Sequence, residues 1–154
     1  MSAHIDVQFA CRQAGEIISA TEVKTWAVAA LGRCDGDQNL TVRFVNESEG
    51  ADLNRRYRRR AGPTNVLSFP YEPSPGVVET LFGDIAVCTA VVLREASEQG
   101  KTVQAHCAHL VVHATLHLLG YDHQTKEDAS RMESEEDAIL SRLGFSDPYA
   151  PVAP

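Results

Sequence analysis

Between Thr102 and Gly120 the sequence is apolar on nearly every side of a helix, with Leu110, Val111, Val112, Leu116, Leu118 and Leu119 spread around it. A helix of that kind has to lie at the centre of the protein, covered from all directions. Yet it also carries His106, His109, His113 and His117, and His123 follows shortly after. His113 and His117 are four residues apart, so they stack on one helix face and can chelate one ion. Gly120 can adopt a positive φ, stop the helix and turn the chain back, which lets His123 supply a third nitrogen. The spacing is H-x-x-x-H-x-x-G-x-x-H. Three neutral nitrogens without a fourth protein ligand make an open site, suited to a bound water and hence to hydrolysis. The expected centre is one zinc ion on His113, His117 and His123 plus water; nickel, copper or cobalt also accept three imidazoles, and availability decides.

Distance along the helix excludes two rival ligand sets. A structural zinc wants four ligands, usually with cysteines. The nearest thiol, Cys107, lies about 9 Å up the helix axis from His113, out of reach of a shared ion. From His109 to His117 the rise is about 12 Å, so His109, His113 and His117 cannot all hold one ion. The glycine turn favours His123 over His109 as the third ligand. His106 and His109 then read as supporting, substrate-facing or packed residues.

Metzincin proteases share this spacing but carry Glu after the first His, as the general base. Here that position is Ala114, which accepts no proton. Peptide hydrolysis needs a base and then an acid for the leaving amine. A phosphodiester asks chiefly for an activated water and positive charge. The chemistry therefore points to phosphoryl transfer rather than to peptides.

The same segment, with two others, resembles the YbeY family of bacterial endoribonucleases, whose signature is H-G-x-L-H-L-x-G-Y-D-H. Ten of its eleven positions agree, with Ala114 standing where the family has Gly. Pro63-Thr64-Asn65-Val66-Leu67-Ser68-Phe69-Pro70 resembles the family's P-T-[DN]-V-L-S-F-P block, and Gly83-Asp84-Ile85 its G-D-I segment. The resemblance spans nearly the whole chain. It implies a single-strand-specific, metal-dependent endoribonuclease that matures the 3′ end of small-subunit ribosomal RNA and serves ribosome quality control. It also implies metal ligands at His113, His117 and His123 and a functionally important arginine at Arg58. Arg58 and His113 are the candidate catalytic residues; RNA and the ribosome or its small subunit are the expected partners.

The net charge of −7 is awkward for an RNA enzyme, but it is unevenly distributed. Arg55, Arg56, Arg58, Arg59 and Arg60 surround Tyr57 and make five of the 14 basic residues. From Tyr121 onward, eight acids face Lys126, Arg131 and Arg142, which puts −5 of the total in the last part of the chain. Such polarity allows one face to bind phosphate while the other stays solvated. A helix end whose arginines complement its dipole is the plainer reading of the run, and a solvated helix face that of the acidic stretch. Cys11, Cys34, Cys88 and Cys107 form no C-x-x-C pair and read as reduced cysteines of a cytoplasmic protein. No apolar run is long enough to span a membrane, and the first residues lack a basic region followed by an apolar stretch.

Residues 4–9 and 39–45 alternate as half-buried strands. Ser19-Ala-Thr-Glu22 reads as a capping box opening a helix to about Leu31. Ser48 is a candidate cap for a shorter helix that carries Leu53 and ends in the arginine run. Val66–Phe69 and Leu81–Cys88 read as strands, separated by a proline-marked loop long enough to act as a flap. Thr89 and Thr102 are candidate caps of helices ending at Gly100 and Gly120, and a last helix covers about Lys126–Leu143. The expected fold is α/β, one domain over residues 1–154 with a loose tail from about 145. It has one mixed sheet of about four strands packed with about five helices, and the metal site lies on the central buried helix and the turn after it. Two alternatives remain: a metal hydrolase of peptides or small amides using Glu79 or Asp84 as base, and a non-catalytic ribosome-assembly factor with a structural zinc.

Overall fold

Strands β1 (Ala3–Phe9) and β2 (Gln38–Val45) alternate apolar and polar residues, so each offers one side to a core. The computed structural model describes residues 3–32, 38–70, 81–121, 124–146 and 148. Its sheet is completed by β3 (Val66–Pro70) and β4 (Leu81–Cys88), in the order β1-β2-β4-β3. β1, β2 and β4 run parallel, and β3 pairs antiparallel with β4 at the sheet edge. Parallel neighbours require crossovers. Helices α1 (Arg12–Ile17) and α2 (Ala20–Leu31) make the first, and α3 (Glu47–Arg58) begins the second.

The register stacks Ile5 beside Leu40, Val42 beside Ile85 and Phe44 beside Val87 on one face of the sheet. Against that face lies α5 (Val103–Leu118), with α2, α4 (Thr89–Gln99) and α6 (Lys126–Arg142) packed on it in turn. Leu110, Val111, Val112 and Leu116 of α5 are almost wholly buried, each contributing about 2 kcal/mol of apolar transfer. The opposite face, carrying Thr41, Arg43 and Asp84, is more polar. There α3 and α4 close a small second cluster of Val45, Cys88, Val91 and Leu53.

Both ends of α5 follow local rules. Thr102 accepts a hydrogen bond from the Ala105 amide at the start. At the end, Gly120 N–H donates to the His117 carbonyl and Tyr121 N–H to the Leu116 carbonyl. This pairing needs a left-handed residue, and Gly120 has φ 104°. The central, buried helix and its glycine stop are therefore as expected, as are the mixed four-stranded sheet and the capping box of Ser19 and Glu22.

Several details differ. Six helices are present among the described residues rather than about five. The additional one, α1, has no side-chain cap and holds Gly15, so it leaves no periodic signal. Helix α3 is capped by Asn46, whose side chain accepts from the Glu49 amide, and Ser48 falls inside the first turn. Thr89 is the first residue of α4 rather than its cap. The expected flap at 71–80 and most of the tail lie outside the described residues. Among the described residues, no helix is long and apolar enough to cross a membrane.

Candidate metal centre

Helix α5 crosses the sheet beside edge strand β3, and a cleft with room of about 330 Å³ opens between them. One wall is α5, which contributes His109, His113, Ala114 and His117. The other is β3 and the preceding loop, with Asn65, Val66 and Ser68, and Arg58 reaches in from the last turn of α3. Val66 and Ser68 face the cleft because the strand alternates, which turns Leu67 and Phe69 to the other side. The fold thus brings together Arg58, His113 and His117, residues separated by up to 59 positions in sequence. His123 lies outside the described residues.

Behind the imidazoles sits a group that motif reading missed. Glu136 of α6 is wholly buried. One carboxylate oxygen accepts from His109 Nε2 at 3.1 Å, and the other from His113 Nδ1 at 2.5 Å. His109, His113 and Glu136 offer ligand atoms within 4.8 Å of one another, a set able to hold a metal ion. The acidic helix α6 is therefore solvated on most of its surface but not at this residue. A signal was present: Met132, Glu136, Ile139 and Leu140 fall on one buried stripe at helical spacing. A glutamate inside an apolar stripe demands a partner.

His106 stands apart from the cleft. It is buried, and its Nε2 bonds Glu95 Oε1 at 3.0 Å. The same oxygen accepts from the Asn65 amide at 3.0 Å, so His106 braces a residue of the cleft wall through Glu95. Ala114 is buried at the cleft floor, where its methyl group is the only addition relative to glycine. Among the described residues, His117 Nδ1 is buried without a hydrogen-bond partner. Asp84 lies on the opposite side of the sheet, in a different groove with Arg43 and Phe69. That removes it from the position of a base facing His113. Glu79 is outside the described residues.

Fold and cleft together define an α/β protein with a histidine- and carboxylate-based site of the type that holds a metal ion. The family model of endoribonuclease YbeY matches residues 8–144, and the chain belongs to that family. Endoribonuclease YbeY of Coxiella burnetii (strain Dugway 5J108-111) is 49% identical over 148 residues, which is 94% of this chain and 97% of the relative. The protein of that name from the RSA 493 / Nine Mile phase I strain matches to the same extent. The solution structure of TM1509 from Thermotoga maritima has the same fold, with a TM-score of 0.57 and 24% identity over 96% of this chain and 99% of that one.

Proposed function

We propose that this protein is a single-strand-specific, metal-dependent endoribonuclease that acts in 3′-end maturation of small-subunit ribosomal RNA and in ribosome quality control. The observation that carries the reading is the shared cleft of Arg58, His113 and His117, in a member of an endoribonuclease family. The proposed ion is one zinc, held by His113, His117 and His123. The donors fit it, since His113 and His117 stand four apart on α5 and both line the cleft. Zinc there would supply Lewis acidity toward a phosphoryl oxygen and ease ionisation of water.

Glu136 is proposed as a support for the ligands. Its oxygens lie 2.5 and 3.1 Å from the two imidazole nitrogens, whereas two donors on one tetrahedral zinc sit about 3.3 Å apart. Hydrogen bonding explains these distances better than shared coordination. By accepting from His113 Nδ1–H, the carboxylate selects the tautomer whose Nε2 can meet an ion. Arg58 is exposed at the cleft mouth, and its planar fork suits two oxygens of a phosphodiester, neutralising charge as it develops. Asn65, fixed through Glu95 and His106, holds the opposite wall in place. The free thiols Cys11, Cys88 and Cys107 support a cytoplasmic setting.

The test pairs cleavage of a single-stranded RNA with elemental analysis of the same protein. Wild type should cut the RNA, spare DNA of the same sequence and carry one zinc. Arg58→Ala should lose turnover and retain the metal, while His117→Ala should lose both. If Arg58→Ala also loses its metal, or cuts as fast as wild type, the role given to Arg58 is wrong.

A further inference from the structure

Tyr57 and Arg58 are neighbours in sequence but serve different sides of edge strand β3. Arg58 lines the histidine cleft. Tyr57 lines a groove of about 610 Å³ with Arg43, Leu53, Phe69 and Asp84. At 64% exposure its ring is one of two large apolar groups on view among the described residues, the other being Val28. Phe69 backs it edge-on, with ring centroids 4.9 Å apart and planes at 64°. An exposed ring held at a fixed angle by a neighbour presents a flat π-face on which a second flat group can stack.

The charges nearby specify the occupant. Arg55 and Arg56 are engaged by Asp52, at 2.7 and 3.3 Å. Arg58, Arg59 and Arg60 are exposed and have no acidic partner among the described residues. Three exposed arginines that follow one exposed ring directly in the chain suit a ligand that alternates phosphates with flat π-surfaces. The groove itself offers phosphate no free guanidinium, because Arg43 is tied to Glu49 by two hydrogen bonds of 2.8 and 3.1 Å. It suits the uncharged part of such a chain better than its phosphates.

We propose that Tyr57, backed by Phe69, is a stacking platform for an unpaired base of an RNA strand whose neighbouring phosphate lies against Arg58. The site rests on the endoribonuclease reading and deepens it. It accounts for single-strand selectivity, since a base already paired in a duplex has no face to offer the ring.

Binding is measured by fluorescence anisotropy of a labelled twelve-nucleotide single-stranded RNA on the metal-loaded protein, read before cleavage accumulates. Tyr57→Ala should weaken binding about 10-fold, as for loss of one base–aromatic stack. Tyr57→Phe should stay within about 2-fold of wild type, and Tyr57→Leu should fall with Ala, because the ring and not its bulk or hydroxyl makes the contact. Thermal unfolding and zinc content should be unchanged in all three. In parallel, 4-thiouridine placed in the RNA should photo-crosslink to Tyr57 or Phe69. Equal binding by wild type, Ala and Leu variants overturns the platform, as does a loss in Phe as large as that in Ala. If Tyr57→Ala unfolds early, the crosslink decides: attachment elsewhere overturns the site. Wild type that binds and crosslinks but does not cut refutes the nuclease and leaves the platform standing. Wild type that neither binds nor cuts RNA removes both.

Discussion

Replacing Glu136 with Gln preserves the shape of the side chain and turns one of its two acceptor oxygens into a donor. In the folded protein both oxygens are used, by His109 Nε2–H at 3.1 Å and His113 Nδ1–H at 2.5 Å. An amide satisfies both rings only if one of them changes tautomer. The outcome of least cost keeps the carbonyl toward His113 and lets His109 turn acceptor, so His113 still presents Nε2 to an ion. It then does so without the charge that raises the basicity of the ring. Loss of such a support typically weakens metal binding 10- to 100-fold, or about 1.4–2.7 kcal/mol. Stability of the metal-stripped protein should move by no more than about 1 kcal/mol, because removing a buried charge offsets the poorer hydrogen bonding. Zinc affinity from chelator competition and urea unfolding of the stripped protein separate the two effects. Unchanged affinity would refute the supporting role. Failure to rebind zinc even in large excess would refute it in the opposite sense, making Glu136 a ligand alongside His109 and His113.

Gly120→Ala should destabilise the protein by about 1–2 kcal/mol, read as a lower denaturant midpoint. At φ 104° with no atom within 4 Å of an added Cβ, the cost is backbone strain and not a clash; an unmoved midpoint would refute it. Burial pushes the Cys107 thiol from its ordinary 9.0 up to about 12. The unfolded chain therefore loses this proton first, so stability is intact below pH 9.0 and falls between there and about 12, by about 1.4 kcal/mol per pH unit. Cys107→Ala should flatten that part of the stability–pH curve, and identical slopes would count against a neutral buried thiol.

What could be read from the residues was what local geometry determines. The capping box at Ser19, the cap at Thr102 and the stop at Gly120 each depend on a few consecutive residues, and each is present. Sheet order was not legible in this way. β4 inserts between β2 and β3, and no pattern inside a strand says which neighbour it will choose. Ser48 and the actual cap, Asn46, are residue types that both cap well, and only the path of the chain out of β2 decides between them. The short helix α1 forms against Phe9, whose ring sits 3.6 Å from the Cβ position of Gly15. Its stability comes from that packing and not from propensity.

The site divides along the same line. That His113 and His117 share one helix face was legible because a helix fixes their separation, whereas the cleft they share with Arg58, at the end of α3, is made by the packing of α5 against β3. Glu136 was hidden by averaging, since eight acids after residue 120 suggest a solvated face when counted together. Read at helical spacing instead, Met132, Glu136, Ile139 and Leu140 form the stripe that α6 turns toward α5. A carboxylate in such a stripe must meet donors, and the helix it faces is rich in imidazoles. The inference needed only the period of one helix and the cost of an unpaired buried charge. Net charge conceals what periodicity displays, and here the concealed residue bonds His113, the first histidine of the motif.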